Sequence, residues 1–181
     1  GTTSALDGTL DEAVSFTFAT PPVAVKEVWP RGDARPLDPV IVVGFDQAID
    51  DRIREHVRLY GGQDPALRPA TTEELEADPG AKAVAERFPE DRRLVLKAEA
   101  PLDRATAYEL VLDEGAPSAE GPRTTDEAQS RSFRTYDPLQ ADRWSCWETG
   151  DGCNPDGNLY VRLNNTLDAD TAADFVVVEP K

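Results

Sequence analysis

Val40-Ile41-Val42-Val43-Gly44-Phe45-Asp46 is the strongest β segment of this 181-residue chain, because β-branched side chains fit a pleated, buried surface. Its reading decides the fold, because part of it returns. Val43-Gly44-Phe45-Asp46-Gln47-Ala48-Ile49-Asp50 is echoed 118 positions later by Val161-Arg162-Leu163-Asn164-Asn165-Thr166-Leu167-Asp168. The same offset relates Val57-Arg58-Leu59 to Phe175-Val176-Val177, and an offset of 115 relates Phe18-Ala19-Thr20 to Phe133-Arg134-Thr135. A period of this length matches one β-sandwich domain. The small drift in offset is what loops of unequal length produce.

The repeat divides the chain into three pieces. Residues 1–20 are expected to hold the last strand of one sandwich unit, with Phe16 and Phe18 on one face. Residues 21–137 are expected to hold a complete unit. Residues 138–181 are expected to hold the opening strands of a third. Incomplete sandwiches leave open strand edges and a half-covered core. Phe16 and Phe18 are one candidate to complete the sheet that residues 138–181 begin. The chain starts at Gly1 and contains no methionine, which reads as a piece processed or excised from something longer.

Outward from the first repeat, the pattern is mostly of period two. Val23 to Trp29, Val57-Arg58-Leu59-Tyr60, Arg93-Leu94-Val95-Leu96-Lys97, Thr106 to Leu112 and Ser132-Phe133-Arg134-Thr135 all read as short strands. Arg31 to Pro39 and residues 114–130 read as loops. Residues 71–88 change character. Thr71 with Glu74 forms a capping-box pattern, and Asp78-Pro79 reads as a second cap with proline at the first helical position. Ala81, Val84, Ala85 and Phe88 then recur at helical spacing. The predicted fold is all-β, an Ig-like antiparallel β-sandwich with a short helical insertion at about 71–88. Leu102…Thr106-x-Tyr108 has the form of a tyrosine corner, in which a buried ring sends its hydroxyl to nearby backbone. A strand tyrosine facing solvent is the alternative.

Charge and composition exclude several functions. Nineteen basic against 35 acidic side chains give a net charge of −16. A phosphate backbone or an anionic membrane surface would repel this chain. No apolar run approaches the ~20 residues of a membrane span. Cys146 and Cys153 lie seven apart in a turn-forming stretch with Gly150, Gly152 and Pro155. A zinc site would need more ligands, and the single histidine, His56, is remote. The spacing does not fit a Cys-x-x-Cys redox pair. A structural disulfide is expected, and with it an oxidising compartment, the periplasm or the cell surface.

No residue pattern supports catalysis. His56 sits among Arg54, Glu55 and Arg58 in a polar connection, and the carboxylates are abundant enough to pair by chance. Asp151, Asn154, Asp156 and Asn158 make an oxygen-rich loop, but positions 153 and 155 are Cys and Pro, which breaks the EF-hand spacing. Turn propensity accounts for the same residues. Arg31-Gly32-Asp33 is an adhesive-type tripeptide in an expected loop, and Asn164-Asn165-Thr166 fits the glycosylation rule. No catalytic, cofactor-binding or metal-binding residue is assigned.

Four phrases in one order carry a family resemblance. They are Gly115-Ala116-Pro117-Ser118-Ala119-Glu120-Gly121-Pro122, then Ser132-Phe133-Arg134-Thr135-Tyr136, then the Cys146-Trp147…Cys153-Asn154-Pro155 stretch, then Leu163 to Asp168. Together they resemble the N-terminal part of bacterial alpha-2-macroglobulins, over most of residues 21–181. The broader group of bacterial surface Ig-like domains related to S-layer proteins is also similar, less specifically. The first resemblance implies a large periplasmic protein that traps attacking proteases, in which this stretch is non-enzymatic scaffold. Its partners would be the other domains of its parent and, for the whole molecule, the target proteases. The thioester signature Cys-x-Glu-Gln is absent, since Trp147-Glu148-Thr149 follows Cys146, so no reactive residue carries over. The alternative is a binding or adhesion module of a bacterial cell-surface or S-layer protein.

Overall fold

The computed structural model describes residues 3–6, 8–10, 12–150, 152–154 and 156–166. It is mainly β. Strands β1 (Val25–Trp29), β2 (Gly32–Arg35), β3 (Val40–Phe45), β4 (Val57–Tyr60) and β5 (Leu67–Pro69) precede helices α1 (Thr72–Ala77) and α2 (Pro79–Ala85). Then follow β6 (Arg93–Ala98), β7 (Ala107–Leu112), β8 (Gln129–Thr135), β9 (Ala141–Cys146), β10 (Glu148–Thr149), β11 (Gly152–Cys153) and β12 (Leu159–Leu163). Two four-stranded sheets, ordered β1-β3-β6-β5 and β2-β8-β7-β4, form a sandwich around one core. All pairings within them are antiparallel except β2 with β8.

Strand β3 is buried along its whole length, which explains its sequence. Ile41, Val43 and Phe45 face the space between the sheets, where they join Val57, Leu59, Leu94, Leu96, Tyr108, Leu110 and Phe133. Val40 and Val42 face outward, yet they are covered by Ala81, Val84 and Ala85 of α2. A strand with apolar layers on both faces needs a continuous apolar run and not an alternating one.

The helices are too short to hold themselves. Their ends are capped as the sequence predicts. Thr71 Oγ1 accepts from the Glu74 amide at 3.2 Å, and Glu74 Oε2 accepts from the Thr71 amide at 2.9 Å. Asp78 Oδ1 accepts from the Ala81 amide at 2.9 Å. Packing on sheet one does the rest, and two glycines make it close. A Cβ on Gly44 would fall inside the Phe88 ring, and one on Gly80 would fall on the Trp29 indole.

Tyr108 settles the question left open by its sequence. It is 2% exposed, its ring stacks on Phe133 at 5.6 Å, and its hydroxyl accepts from the Asp103 amide at 2.8 Å. This is tyrosine-corner geometry, and the solvent-facing alternative is set aside.

Two local expectations need correction, and one strand was not foreseen. Gly32–Arg35, read as loop, forms edge strand β2, because positive φ at Gly32 and Ala34 lets a turn-rich segment lie along β8. Leu67–Pro69 forms edge strand β5, invisible to periodicity because it is three residues long and ends in proline. Residues 15–20 form no strand, and Phe16 and Phe18 are each 84% exposed. Their period-two pattern finds no partner strand among the described residues, and they do not pair with β9 or β12.

Candidate functional site

The candidate site is the ladder of β9 and β12, together with the disulfide hairpin between them. It repeats the β1–β3 ladder rung for rung. Val28↔Val43 corresponds to Trp144↔Val161, Trp29↔Val42 to Ser145↔Tyr160, and Glu27↔Gly44 to Arg143↔Arg162. Beyond a β-bulge at the same place in both ladders, Val25↔Phe45 corresponds to Ala141↔Leu163.

The repeat extends to side chains that lock the entering strand. Asp46 Oδ1 accepts from the Ala24 amide at 2.9 Å, and the Asp46 amide donates to the Ala24 carbonyl at 3.1 Å. Asn164 Oδ1 accepts from the Gln140 amide at 2.8 Å, and the Asn164 amide donates to the Gln140 carbonyl at 3.1 Å. Gln47 Nε2 donates to the Pro21 carbonyl, and Asn165 Nδ2 does the same to the Asp137 carbonyl. Asn164, being an amide, also donates from Nδ2 to the Pro138 carbonyl at 2.8 Å. A short side chain with an acceptor oxygen is what this position requires, because the entering strand would otherwise leave an amide unpaired. Asn164 is therefore engaged by backbone on both polar atoms of its side chain.

The two ladders differ in cover. Directly opposed residues of an antiparallel pair share a face. On one face of the second ladder stand Trp144, Leu159 and Val161, 67%, 49% and 51% exposed. The opposite face carries Arg143, Ser145, Tyr160 and Arg162. Leu159 and Val161 take the register positions of Ile41 and Val43, which face the buried core between the sheets. The polar face corresponds to the side of β3 that α2 covers.

Cys146 and Cys153 form a disulfide with Cα atoms 5.6 Å apart. They close a loop around the two-residue strands β10 and β11, in which Glu148 pairs with Cys153. The Asn154 amide donates to the Trp147 carbonyl at 2.7 Å, leaving Trp147 67% exposed beside the ladder. The bond is compatible with an oxidising, extracellular or periplasmic location.

Other residues singled out in the sequence fall elsewhere. Asn154 Oδ1 accepts from the Asp156 amide at 2.9 Å, a local turn bond, and Asn158 Nδ2 donates to the Tyr160 hydroxyl at 3.3 Å. Asp151 lies outside the described residues, as do Leu167, Asp168 and Phe175 to Val177 of the repeat. His56 ends a 3-10 turn, and its carbonyl accepts from the Asp113 amide. It lines a cleft with Arg52, Arg123 and Ser118. The Ser118 hydroxyl is committed to Gln47 Oε1 at 2.8 Å and to the Glu120 amide at 3.0 Å. Arg31 pairs with Glu27 across 3.9 Å, and Asp33 lies on edge strand β2.

The densest charge network braces the helical insertion. Arg68 donates to both oxygens of Glu74, at 2.6 and 2.9 Å, and Lys97 Nζ lies 2.8 Å from Asp38 and 3.3 Å from Glu74. The Arg68 guanidinium first, then the Thr71 amide, hold the Glu74 carboxyl well below its usual range. The Asp38 carboxylate first, and Glu74 after it, raise the Lys97 ammonium against the opposing effect of burial. Each carboxylate here already has a cation or a cap amide.

Comparison with known protein families and with curated proteins finds no match to this chain. The internal repeat is thus the main comparison that bears on the site. The sequence offset located Asn164 and Asn165, but their clamp role emerges only once Asp46 and Gln47 are seen bonding to Ala24 and Pro21. Trp144 was missed as a ladder residue. Its signal was an offset of 116, between the 115 and 118 of the flanking repeats, which matches the tryptophan to Val28.

Proposed function

We propose that the chain is a non-enzymatic scaffold segment of a bacterial alpha-2-macroglobulin-like protein that traps proteases. It is built from tandem Ig-like sandwich units. Residues 21–137 would form a whole unit and residues 138–181 would open the next. The observation that carries the tandem reading is the second ladder, with its matching rungs, bulge and clamps, following directly on a complete sandwich. Helices over sheet one are the elaboration of a single unit, since the matching face of the second ladder is polar. The protease-trap reading adds the four motif phrases and their order. Its partners are the neighbouring domains of the parent and the proteases the parent meets. Its place is the periplasm or cell surface, where the Cys146–Cys153 bond persists.

In this role the −16 net charge supports solubility, not recognition. The test is the parent coding sequence. A downstream Cys-x-Glu-Gln and on the order of 1,000 residues of further sandwich repeats are expected. A parent made only of an adhesin or S-layer array overturns the trap role. Saturable micromolar binding of a glycan to this chain on a glycan array would argue for the adhesion module instead, because a scaffold has no such ligand.

A further inference from the structure

We infer that the cleft between edge strands β4 and β5 is a strand-docking groove, and that its occupant is the exposed segment Val14-Ser15-Phe16-Thr17-Phe18 of a second copy of this chain. The segment adds to β4 and extends the β2-β8-β7-β4 sheet by one strand. The inference rests on neither the tandem-unit reading nor the protease-trap role.

The groove is built from two open edges. β4 ends one sheet and β5 ends the other. The cleft between them, about 620 Å³, reaches the core side chains Val57, Leu59 and Leu96. The backbone of β4 supplies free pairing groups. The Asp113 amide donates to the His56 carbonyl at 2.8 Å, and the register runs on through Val57↔Leu112 and Leu59↔Leu110. Bonded and non-bonded pairs alternate along an antiparallel ladder. Arg58 and Tyr60 therefore bond to β7, while Leu59 turns its N–H and C=O to the side where β4 has no partner strand. The Val57 carbonyl points the same way, its amide being taken by the Arg54 carbonyl. β5 is the poorer edge, since it is three residues long and Pro69 has no N–H to donate.

The segment is the complement that the groove lacks. Val14, Phe16 and Phe18 alternate in sequence, lie outside any strand and are 75%, 84% and 84% exposed. Such a run is a strand without a sheet, and β4 is a sheet edge without a strand. The same exposures show that the segment does not fill the cleft of its own chain, so the docking is between copies. Charge agrees with this pairing. Asp11 and Glu12 precede the apolar run, and no Lys or Arg occurs before Lys26. Arg54 and Arg58 line the cleft where β4 begins, and Asp64 lines it beyond the end of β4. Attraction of the acidic end to the arginines sets the segment parallel to β4, with Val14 beside Val57 and Phe16 beside Leu59.

The test is self-association of the full chain, followed by light scattering and by hydrogen exchange of the Leu59 amide. Association and Leu59 protection are expected to rise together as concentration approaches millimolar, and to weaken several-fold in high salt. Phe16→Asp/Phe18→Asp removes the donor strand, and Leu67→Glu puts a charge into the groove. Each variant alone should be monomeric. Their equimolar mixture should associate again, because one intact strand then meets one intact groove. A synthetic Thr9–Thr20 peptide titrated into the Phe16→Asp/Phe18→Asp chain should protect Leu59 saturably, a readout that does not require Leu67→Glu to fold. A monomeric parent at millimolar concentration, or a peptide that leaves Leu59 unprotected, overturns the inference. Association that persists in Phe16→Asp/Phe18→Asp assigns the contact to another surface, such as the face of Trp144, Leu159 and Val161, and overturns it as well. So does Leu59 protection that is independent of concentration, which would place the segment in the cleft of its own chain.

Discussion

The β1–β3 and β9–β12 pairs are one hairpin-like ladder written twice, with opposite fates. The first is sealed between a second sheet and two helices; the second stands with its apolar residues about half to two-thirds exposed. The rungs, the bulge and the two clamps survive this change. Ladder geometry is therefore set locally, by backbone pairing and by Asp46/Gln47 or Asn164/Asn165. Stability is a separate matter, because a lone two-stranded ribbon is marginal in water until layers cover it. In place of layers, the second ladder has a disulfide at the end of β9.

The widest gap between the two is expected at matched core positions. Ile41→Ala should destabilise the sandwich by about 2–5 kcal/mol, through lost transfer energy and the cavity left behind. Leu159→Ala, at the same register position, should leave that same transition within about 0.5 kcal/mol, because it is not part of that core. Urea unfolding followed through Trp29 measures both. A Leu159→Ala loss as large as that of Ile41→Ala would mean that the two ladders share one cooperative core.

Reducing Cys146–Cys153 acts on the other side of the comparison. Opening so short a loop should weaken the second ladder by on the order of 2–3 kcal/mol on the loop-entropy account. The loss should appear as faster amide exchange in β9 and β12, with the sandwich midpoint unmoved. A lowered sandwich midpoint would show that the hairpin braces both. A smaller effect is expected within the first unit from Tyr108→Phe. It removes the acceptor of the Asp103 amide while keeping the ring on Phe133, for a loss of about 1 kcal/mol. Thermal melting of the variant against the parent checks it. No loss would reduce the tyrosine corner to ring packing alone.

These contrasts show why some of the molecule was legible in sequence and some was not. Periodicity and caps are local, so β1, β3, β4, β6, β7, the end of β8 and both helices were readable, the strands from their own apolar patterns and the helices from the caps at Thr71–Glu74 and Asp78–Pro79. The helices' role was not, because nothing in residues 71–88 says that they lie on Val40 and Val42. That is a long-range contact, hinted at only by the unbroken apolar run of β3. Edge strands β2 and β5 escaped because an edge needs few apolar residues and tolerates glycine and proline. Phe16 and Phe18 erred in the other direction, since alternation marks a capacity to pair and cannot supply the partner. At the candidate site, Cys146 and Cys153 were readable from spacing and Asn164 from the repeat. The exposure of Trp144 was not, because burial depends on whatever lies opposite.

The smallest expected effect probes the clamp. Asp46 and Asn164 make the same two backbone bonds, one with a carboxylate and the other with an amide. If acceptor geometry is what matters, Asp46→Asn should shift sandwich stability by less than about 0.5 kcal/mol. Asp46→Ala, which leaves the Ala24 amide without its side-chain acceptor, should cost about 0.5–1.5 kcal/mol. Among the described residues no cation pairs with the Asp46 carboxylate, and Arg92 Nη1 donates to its backbone carbonyl instead. The charge thus has no partner to lose. Urea midpoints at neutral pH rank the two variants. If Asn at 46 costs as much as Ala, the amide at 164 is not equivalent to the acid, and the two ladders are locked by different means. If Asn at 46 is neutral, the offset of 118 residues marks interchangeable parts, and Asn165→Ala should loosen the Asp137 carbonyl as Gln47→Ala loosens that of Pro21.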